Sequence, residues 1–365
     1  MHHKHDRPLR VLHVVTYMGR GGLETMIMNY YRHIDRSKVQ FDFLVHRDFR
    51  ADYDDEIEAL GGQIFRIPRL IPWSKTYLTA LERFFRAHPE YKIVHVHQDC
   101  LSSVILKAAN KCGVPVRIAH SHNSSQDKNI KYLIKLFYKK QIPTYATQLF
   151  ACSRAAGQWM FGTDNFQVMN NAIDTQKYAF DPGVRESVRN ELAIPAETPV
   201  LGHVGRFMPA KNHAFLIELF SKLPPNAYLL LVGDGELREK IEYQARELGV
   251  RERIIFTGVR TDVARMLQAM DIFLFPSLYE GLGIAAIEAQ TAGLPCLISD
   301  GVPMECQKTT GLVYQLPLSA GADRWALKAQ ELLSIQRKST AHQVKNSGFD
   351  IVKNAQWLQA FYLEQ

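Results

Sequence analysis

Residues 276–299, PSLYEGLGIAAIEAQTAGLPCLIS, follow directly on the fully apolar run Ile272–Phe275, and this junction decides the fold. A short, uninterrupted apolar run reads as a strand buried on both faces, as in a parallel sheet. Pro276 ends that strand, Glu280-Gly281-Leu282-Gly283 make a glycine-bearing loop, and the Ala/Ile/Glu-rich stretch from Ile284 reads as a helix closed by Ala292-Gly293. In open α/β sheets, ligands gather at the carboxyl ends of strands, against the first turns of the following helices. Glu280 falls in that loop and Glu288 on the helix, with seven residues between them. Carboxylates are poor partners for phosphate but accept hydrogen bonds from vicinal hydroxyls. The segment therefore predicts a site for a sugar or a nucleotide sugar.

The same strand–helix alternation extends in both directions. Strands are predicted at Val11–Thr16, Phe41–Val45, Gln63–Ile67, Ile93–Val96, Val116–Ala119, Gln148–Ala151 and Gln167–Met169, with helices between them. Phe180 to Pro199 is polar and proline-punctuated, with a short helix near Glu186–Leu192. The pattern then restarts, with strands at Val200–Val204, Tyr228–Val232, Arg253–Phe256, Ile272–Phe275 and Pro295–Ile298 and helices between them, among them Gly235–Leu248. This predicts an α/β chain of two doubly wound, Rossmann-like domains, residues 1–180 and 181–347, with a cleft between them. Two further helices, near Arg324–Ile335 and Ile351–Tyr362, end the chain.

At 365 residues, 46% apolar and 22% charged, the composition is that of a globular protein with two cores. No apolar run approaches the ~18 residues of a membrane span, and the polar start, Met1–Arg10, predicts no secretory signal. Cys100, Cys112, Cys152, Cys296 and Cys306 are odd in number and scattered, which fits a reducing cytoplasm better than a disulfide framework. His2, His3 and His5 are expected in a solvated start. The net charge of +7 carries no nucleic-acid-binding module. Within Lys128–Lys140, however, Lys128, Lys131, Lys135, Lys139 and Lys140 alternate with Ile130, Leu133, Ile134, Leu136, Phe137 and Tyr138. Wound on a helix, these residues give a basic face and an apolar face, the pattern of a segment lying on an anionic membrane. A surface helix packed by its apolar stripe is the competing reading.

Three further strand ends carry chemistry. Strand one runs into Met18-Gly19-Arg20-Gly21-Gly22-Leu23-Glu24, where glycines let backbone N–H groups approach a phosphate at a helix start; the dinucleotide fingerprint spacing is absent. Val200–Val204 ends in Gly205-Arg206 and, five residues on, Lys211, a fork and a point charge within reach of one diphosphate. His120 and His122 share one face if their strand persists, but no nearby Asp, Glu or Cys completes a ligand set, so no metal is expected. Asp52-Tyr53-Asp54 opens an acidic helix and reads as charge at a helix start rather than a metal site.

Taken together, these residues resemble the retaining glycosyltransferase family 4, whose fold is GT-B. The markers are the Glu-x7-Glu of Glu280 and Glu288, Gly205-Arg206 with Lys211, and the Gly21–Gly22 turn. Segments such as RGGLETMIMNYYR, AHSHNSS and GHVGRFMPAKNHAFL look closest to bacterial transferases of exopolysaccharide and capsule assembly. The resemblance implies that Glu288 holds ribose hydroxyls and that Glu280, with the N–H groups of Gly281, Leu282, Gly283 and Ile284, holds the hexose. Arg206 and Lys211 would neutralise the departing diphosphate, helped by Gly22; His122, rather than His120, would contact the donor sugar. The loop from Gly258 through Arg260 to Val263 would meet the base, and a C-terminal helix, about residues 348–365, would return to the first domain. The family often has glycine where Ala172 follows Asn171, so no close backbone contact to ligand is expected there.

The expected activity is retaining, metal-independent transfer of a hexose or N-acetylhexosamine from a uridine diphosphate sugar to a lipid-linked saccharide, in the cytoplasm at the inner membrane face. Fixed cations would stand where other transferases use a metal, and no cofactor is expected. A non-catalytic nucleotide-sugar-binding assembly protein, or an epimerase of the same fold, is the alternative. Hexose, acceptor, linkage and oligomeric state are left open by the sequence.

Overall fold

The computed structural model describes residues 7–123 and 132–365. His2, His3, His5, Lys128, Ile130 and Lys131 lie outside the described residues. Two compact units are present: residues 7–172 with the C-terminal Ile351–Gln365, and Ile173–Asp350. The polar stretch Phe180–Pro199 thus lies inside the second unit.

The first unit holds strands β1 (Leu9–Val15), β2 (Val39–Val45), β3 (Ile64–Arg66), β4 (Ile93–Val96), β5 (Val116–Ser121), β6 (Gln148–Ala151) and β7 (Gln167–Val168). They form one sheet in the order β3-β2-β1-β4-β5-β6-β7, and every pairing is parallel. All seven residues of β2 are buried, as a strand covered on both faces requires. Register places His13 of β1 opposite His95 of β4, which becomes important below. The closing helix Ile351–Leu363 packs on helix Gly22–His33. It buries Ile351, Ala355, Leu358 and Tyr362, whose three- and four-residue spacing is one face of a helix. The C-terminal helix therefore belongs to the N-terminal unit.

The second unit holds β8 (Val200–Val204), β9 (Tyr228–Val232), β10 (Ile254–Phe256), β11 (Ile272–Phe275), β12 (Cys296–Ile298) and β13 (Val313–Gln315), ordered β10-β9-β8-β11-β12-β13 and all parallel. Twelve of these thirteen strands were expected from pattern. β13 was not: it is three residues long, on the sheet edge, and only partly buried, so it carries no apolar run. Helix Pro182–Glu191 begins four residues before its expected start. Asp181 caps it, accepting from the Gly183 and Val184 N–H groups, and Pro182 tolerates the first position. Among the described residues, no helix is long and apolar enough to cross a membrane.

Candidate active site

Glu280 and Glu288 take the positions read from sequence, and each has a partner the sequence did not disclose. Gly283 caps helix Ile284–Thr291 at φ 83°, where an L side chain is strained, and its absent Cβ would lie 3.2 Å from the Phe275 ring. The Glu280 N–H donates to Gly301 O at 3.0 Å, fixing the loop. The Glu280 carboxylate accepts from Lys211 Nζ at 2.5 Å, and Nζ also lies 4.9 Å from the centre of the Phe275 ring. Glu288 is buried on the helix, and its Oε1 accepts from Tyr178 Oη at 2.7 Å. Burial pushes its carboxyl up to about 7, with the Tyr178 hydrogen bond and the Lys177 charge pulling the other way.

The loop after β8 is clamped by the loop after β9. Gly205 N–H donates to Val232 O at 3.0 Å, Phe207 N–H to Asp234 O at 2.9 Å, and Leu237 N–H to Phe207 O at 3.1 Å. Gly233 sits at φ 138°, and a Cβ there would lie 2.2 Å from Gly205 O. This Gly233-Asp234-Gly235 turn was missed in the sequence, where Gly235 read as the start of a helix; helix Arg238–Glu247 begins three residues later than expected. The signal was present, since two glycines one residue apart at a strand end mark close backbone approach. The clamp presents Arg206, exposed and 3.5 Å from Glu236, and leads through a tight turn, Pro209–Lys211, to Lys211. The Gly258 carbonyl accepts from Gly233 N–H at 2.9 Å, joining a third loop to the group. Within it Arg260 is held by both oxygens of Asp262, at 2.7 and 2.8 Å, and by Glu191 at 3.1 Å, while Val263 opens helix Val263–Ala269. Arg260 is therefore engaged by carboxylates, while Val259 and Thr261 on either side of it are exposed.

In the first unit, Gly21 precedes helix Gly22–His33, and both glycines are exposed at its N-terminus. Ala172 is not among the residues of positive φ, so the backbone there needs no glycine. Asp54 opens helix Asp54–Ala59, accepts from the Ala51 N–H and pairs with Arg66, as expected of a structural carboxylate.

His122 stands at the end of β5 in an array of five imidazoles from three neighbouring strands. His13 Nδ1 lies 3.1 Å from His97 Nε2, and His97 Nδ1 lies 2.9 Å from His122 Nε2. In a second row, His95 Nδ1 lies 2.7 Å from Tyr362 Oη and His95 Nε2 3.1 Å from His120 Nδ1. Burial holds all five rings neutral, His13 and His122 at about 3 and the other three well below the usual imidazole range. His13 Nε2, His120 Nε2 and His122 Nδ1 are buried atoms that have no hydrogen-bond partner in the structure. His97, His120 and His122 each place one ring nitrogen within 4.8 Å of the others, as do His13, His95 and His97. Among the described residues it is other histidines that join the His120–His122 pair within metal-ligand spacing. The repeated His-x-His, at 95–97 and 120–122, was the available signal.

Two parallel Rossmann-like sheets, with acidic and basic side chains gathered at the carboxyl edge of the second, define a GT-B glycosyltransferase framework. The pattern of glycosyl transferases group 1 matches residues 184–347, and that of glycosyltransferase family 4 matches residues 20–177. EpsF of Bacillus subtilis (strain 168), named as a glycosyltransferase, is 38% identical over 329 residues, 87% of this chain and 86% of that protein. The chain belongs to this glycosyltransferase family. It is also 26% identical, over 75% of its length and 76% of the relative's, to an Escherichia coli UDP-Gal:alpha-D-GlcNAc-diphosphoundecaprenol alpha-1,3-galactosyltransferase. Its fold matches HepE of Anabaena, solved in complex with UDP and glucose, with a TM-score of 0.79, 19% identity, and 98% and 100% of the two chains covered.

Proposed function

We propose that this chain transfers a hexose or N-acetylhexosamine from a uridine diphosphate sugar to a lipid-linked saccharide in surface polysaccharide assembly, with retention and without a metal. The observation that carries this reading is the pairing of Lys211 with Glu280 in the loop after β11, followed on helix Ile284–Thr291 by the buried Glu288. In this reading Lys211 serves the diphosphate and the two carboxylates serve hydroxyls. Support comes from the names of the relatives: one acts on a diphosphoundecaprenol-linked sugar, and HepE was solved with UDP and glucose.

In this mechanism Glu288 accepts from the ribose hydroxyls and Glu280, with the N–H groups from Gly281 to Ile284, from the hexose. Lys211 and Arg206 stabilise charge on the departing diphosphate. His122 contacts the sugar. The acceptor attacks from the leaving-group face, and a diphosphate oxygen takes its proton. Membrane attachment on the inner face is assigned to helix Tyr132–Lys139, where Leu133 and Phe137 are 75% and 63% exposed. Calorimetry against a panel of nucleotide sugars, without added metal, tests the donor assignment. One uridine donor should bind, and Arg206→Ala should weaken it about tenfold or more, as expected for a lost charge-assisted contact. Binding to no member of the panel would overturn the reading.

A further inference from the structure

We propose that His97, His120 and His122 form a binding site for a divalent transition metal ion of the zinc class. The ligand atoms are His97 Nδ1, His122 Nε2 and the unpartnered His120 Nε2, and each of the three rings brings a nitrogen within 4.8 Å of the others. Zinc binds imidazole at about 2.0–2.1 Å and takes three protein ligands with a fourth position open. The 2.9 Å between His97 Nδ1 and His122 Nε2 needs only a small opening to accommodate an ion.

The hydrogen bonds behind these rings argue for a site rather than accidental crowding. A metal-ligating imidazole donates its other N–H to an acceptor that fixes its tautomer and orientation. Such an acceptor stands behind two of the three. With His97 bound through Nδ1 its Nε2–H would donate to His13 Nδ1, 3.1 Å away, and with His120 bound through Nε2 its Nδ1–H would donate to His95 Nε2, also 3.1 Å away. His95 Nδ1–H would in turn donate to Tyr362 Oη, 2.7 Å away. In this arrangement every ring is neutral, each carries one proton, and the three ligand nitrogens present bare lone pairs. The proton between His97 and His122 moves to His122 Nδ1, so loading the ion releases none. The alternative trio, His13, His95 and His97, has the same spacing but is wholly buried, with His13 against Phe41. His122 is partly exposed, so the first trio, unlike the second, includes a ring that meets solvent.

The site stands on the geometry alone; one consequence rests on the proposed transferase reading. An ion held by His122 removes that ring from the donor sugar, so zinc should inhibit transfer and a chelator should restore it.

The test uses full-length protein in which His2, His3 and His5 are replaced by alanine, stripped with chelator and titrated with Co2+ alone. One Co2+ per chain, giving the visible absorption of tetrahedral cobalt and displaced by Zn2+, is expected. His120→Gln should weaken that binding by at least about tenfold, the loss typical of disturbed ligand shells. Absence of the tetrahedral spectrum, or binding indifferent to His120→Gln, overturns the site. Should the Gln variant not fold, zinc-edge anomalous diffraction from zinc-soaked crystals decides: a peak bonded to the three rings supports the site, and none sinks it. Metal binding without inhibition would uphold the site and remove His122 from donor contact.

Discussion

Lys211 Nζ lies 2.5 Å from Glu280 Oε1, so the side chain assigned to the diphosphate and the one assigned to the hexose are each other's partner. Both are largely buried, and neither charge is left uncompensated. A donor that engages both must exchange this pair for two new contacts. Glu280→Gln keeps the shape and a hydrogen bond but releases Lys211. UDP affinity should therefore hold or tighten, while the extra affinity of UDP-sugar over UDP falls roughly 10- to 100-fold, the worth of a hydrogen bond to a charged group. Calorimetry with UDP and with UDP-sugar separates the two. A parallel fall in both would mean that Glu280 serves only to position Lys211.

Glu288 gives a pH signature of definite sign. Its carboxyl is raised from 4.5 to about 7 by burial, with Tyr178 and Lys177 facing it. The folded state holds this proton more tightly than the unfolded chain. The associated stability is complete below about 4.5, is lost as pH rises through about 7, and is level above. Glu288→Gln removes this dependence. The stability of the variant minus that of wild type should therefore grow between about pH 4.5 and 7, by up to about 3 kcal/mol at 1.36 kcal/mol per pKa unit. Urea unfolding across that range measures it, and parallel curves would remove the raised carboxyl. Nucleotide binding should strengthen over the same window, because only the carboxylate accepts from both ribose hydroxyls.

The sheet edge was legible and its partnerships were not. Ile272–Phe275, Pro276 and the glycines after them give strand, stop and loop from local rules alone, and these placed Glu280 and Glu288 correctly on loop and helix. Tyr178 lies 110 positions from Glu288 and reaches it only through tertiary folding, so no spacing could pair them. The imidazole array shows the same limit. His120 and His122 were visible as an alternating pair, but His97 and His13 join them only because β4 and β1 are the next strands in the sheet order. Strand order in a parallel sheet is set by crossovers, which leave no periodic trace in sequence.

Gly233 tests whether the clamp positions the basic loop. An alanine there would take φ 138° and set its Cβ 2.2 Å from the Gly205 carbonyl, a backbone atom with no rotamer to yield. Gly249 is the control: it also has positive φ, at 66°, but nothing lies within 4 Å of its missing Cβ. Gly249→Ala should cost about 1 kcal/mol, the left-handed penalty alone. Gly233→Ala should cost more than about 2 kcal/mol, and it alone should weaken UDP binding. Equal costs, with UDP affinity unchanged in both, would show that the Gly233 approach does not hold Arg206 and Lys211 in place.

Helix Tyr132–Lys139 separates a membrane-seeking face from a packed one by stability. None of its residues is buried, Leu133 and Phe137 face solvent, and Lys135 and Lys139 are drawn to Asp99, at 3.8 Å, and to the Trp159 ring, at 4.4 Å. A stripe packed in the interior would cost about 2–5 kcal/mol per large side chain removed. An exposed stripe costs almost nothing to remove in water. Each side chain inserted into lipid contributes about 1.5–3 kcal/mol, so removing two should reduce partitioning by 100-fold or more. The double variant Leu133→Ser, Phe137→Ser should therefore unfold at the same urea concentration as wild type and lose sedimentation with anionic vesicles. Because Lys135 and Lys139 already have partners, vesicle binding should depend on salt more weakly than the lysine count suggests. Loss of stability with unchanged partitioning would return this helix to an ordinary packed surface element.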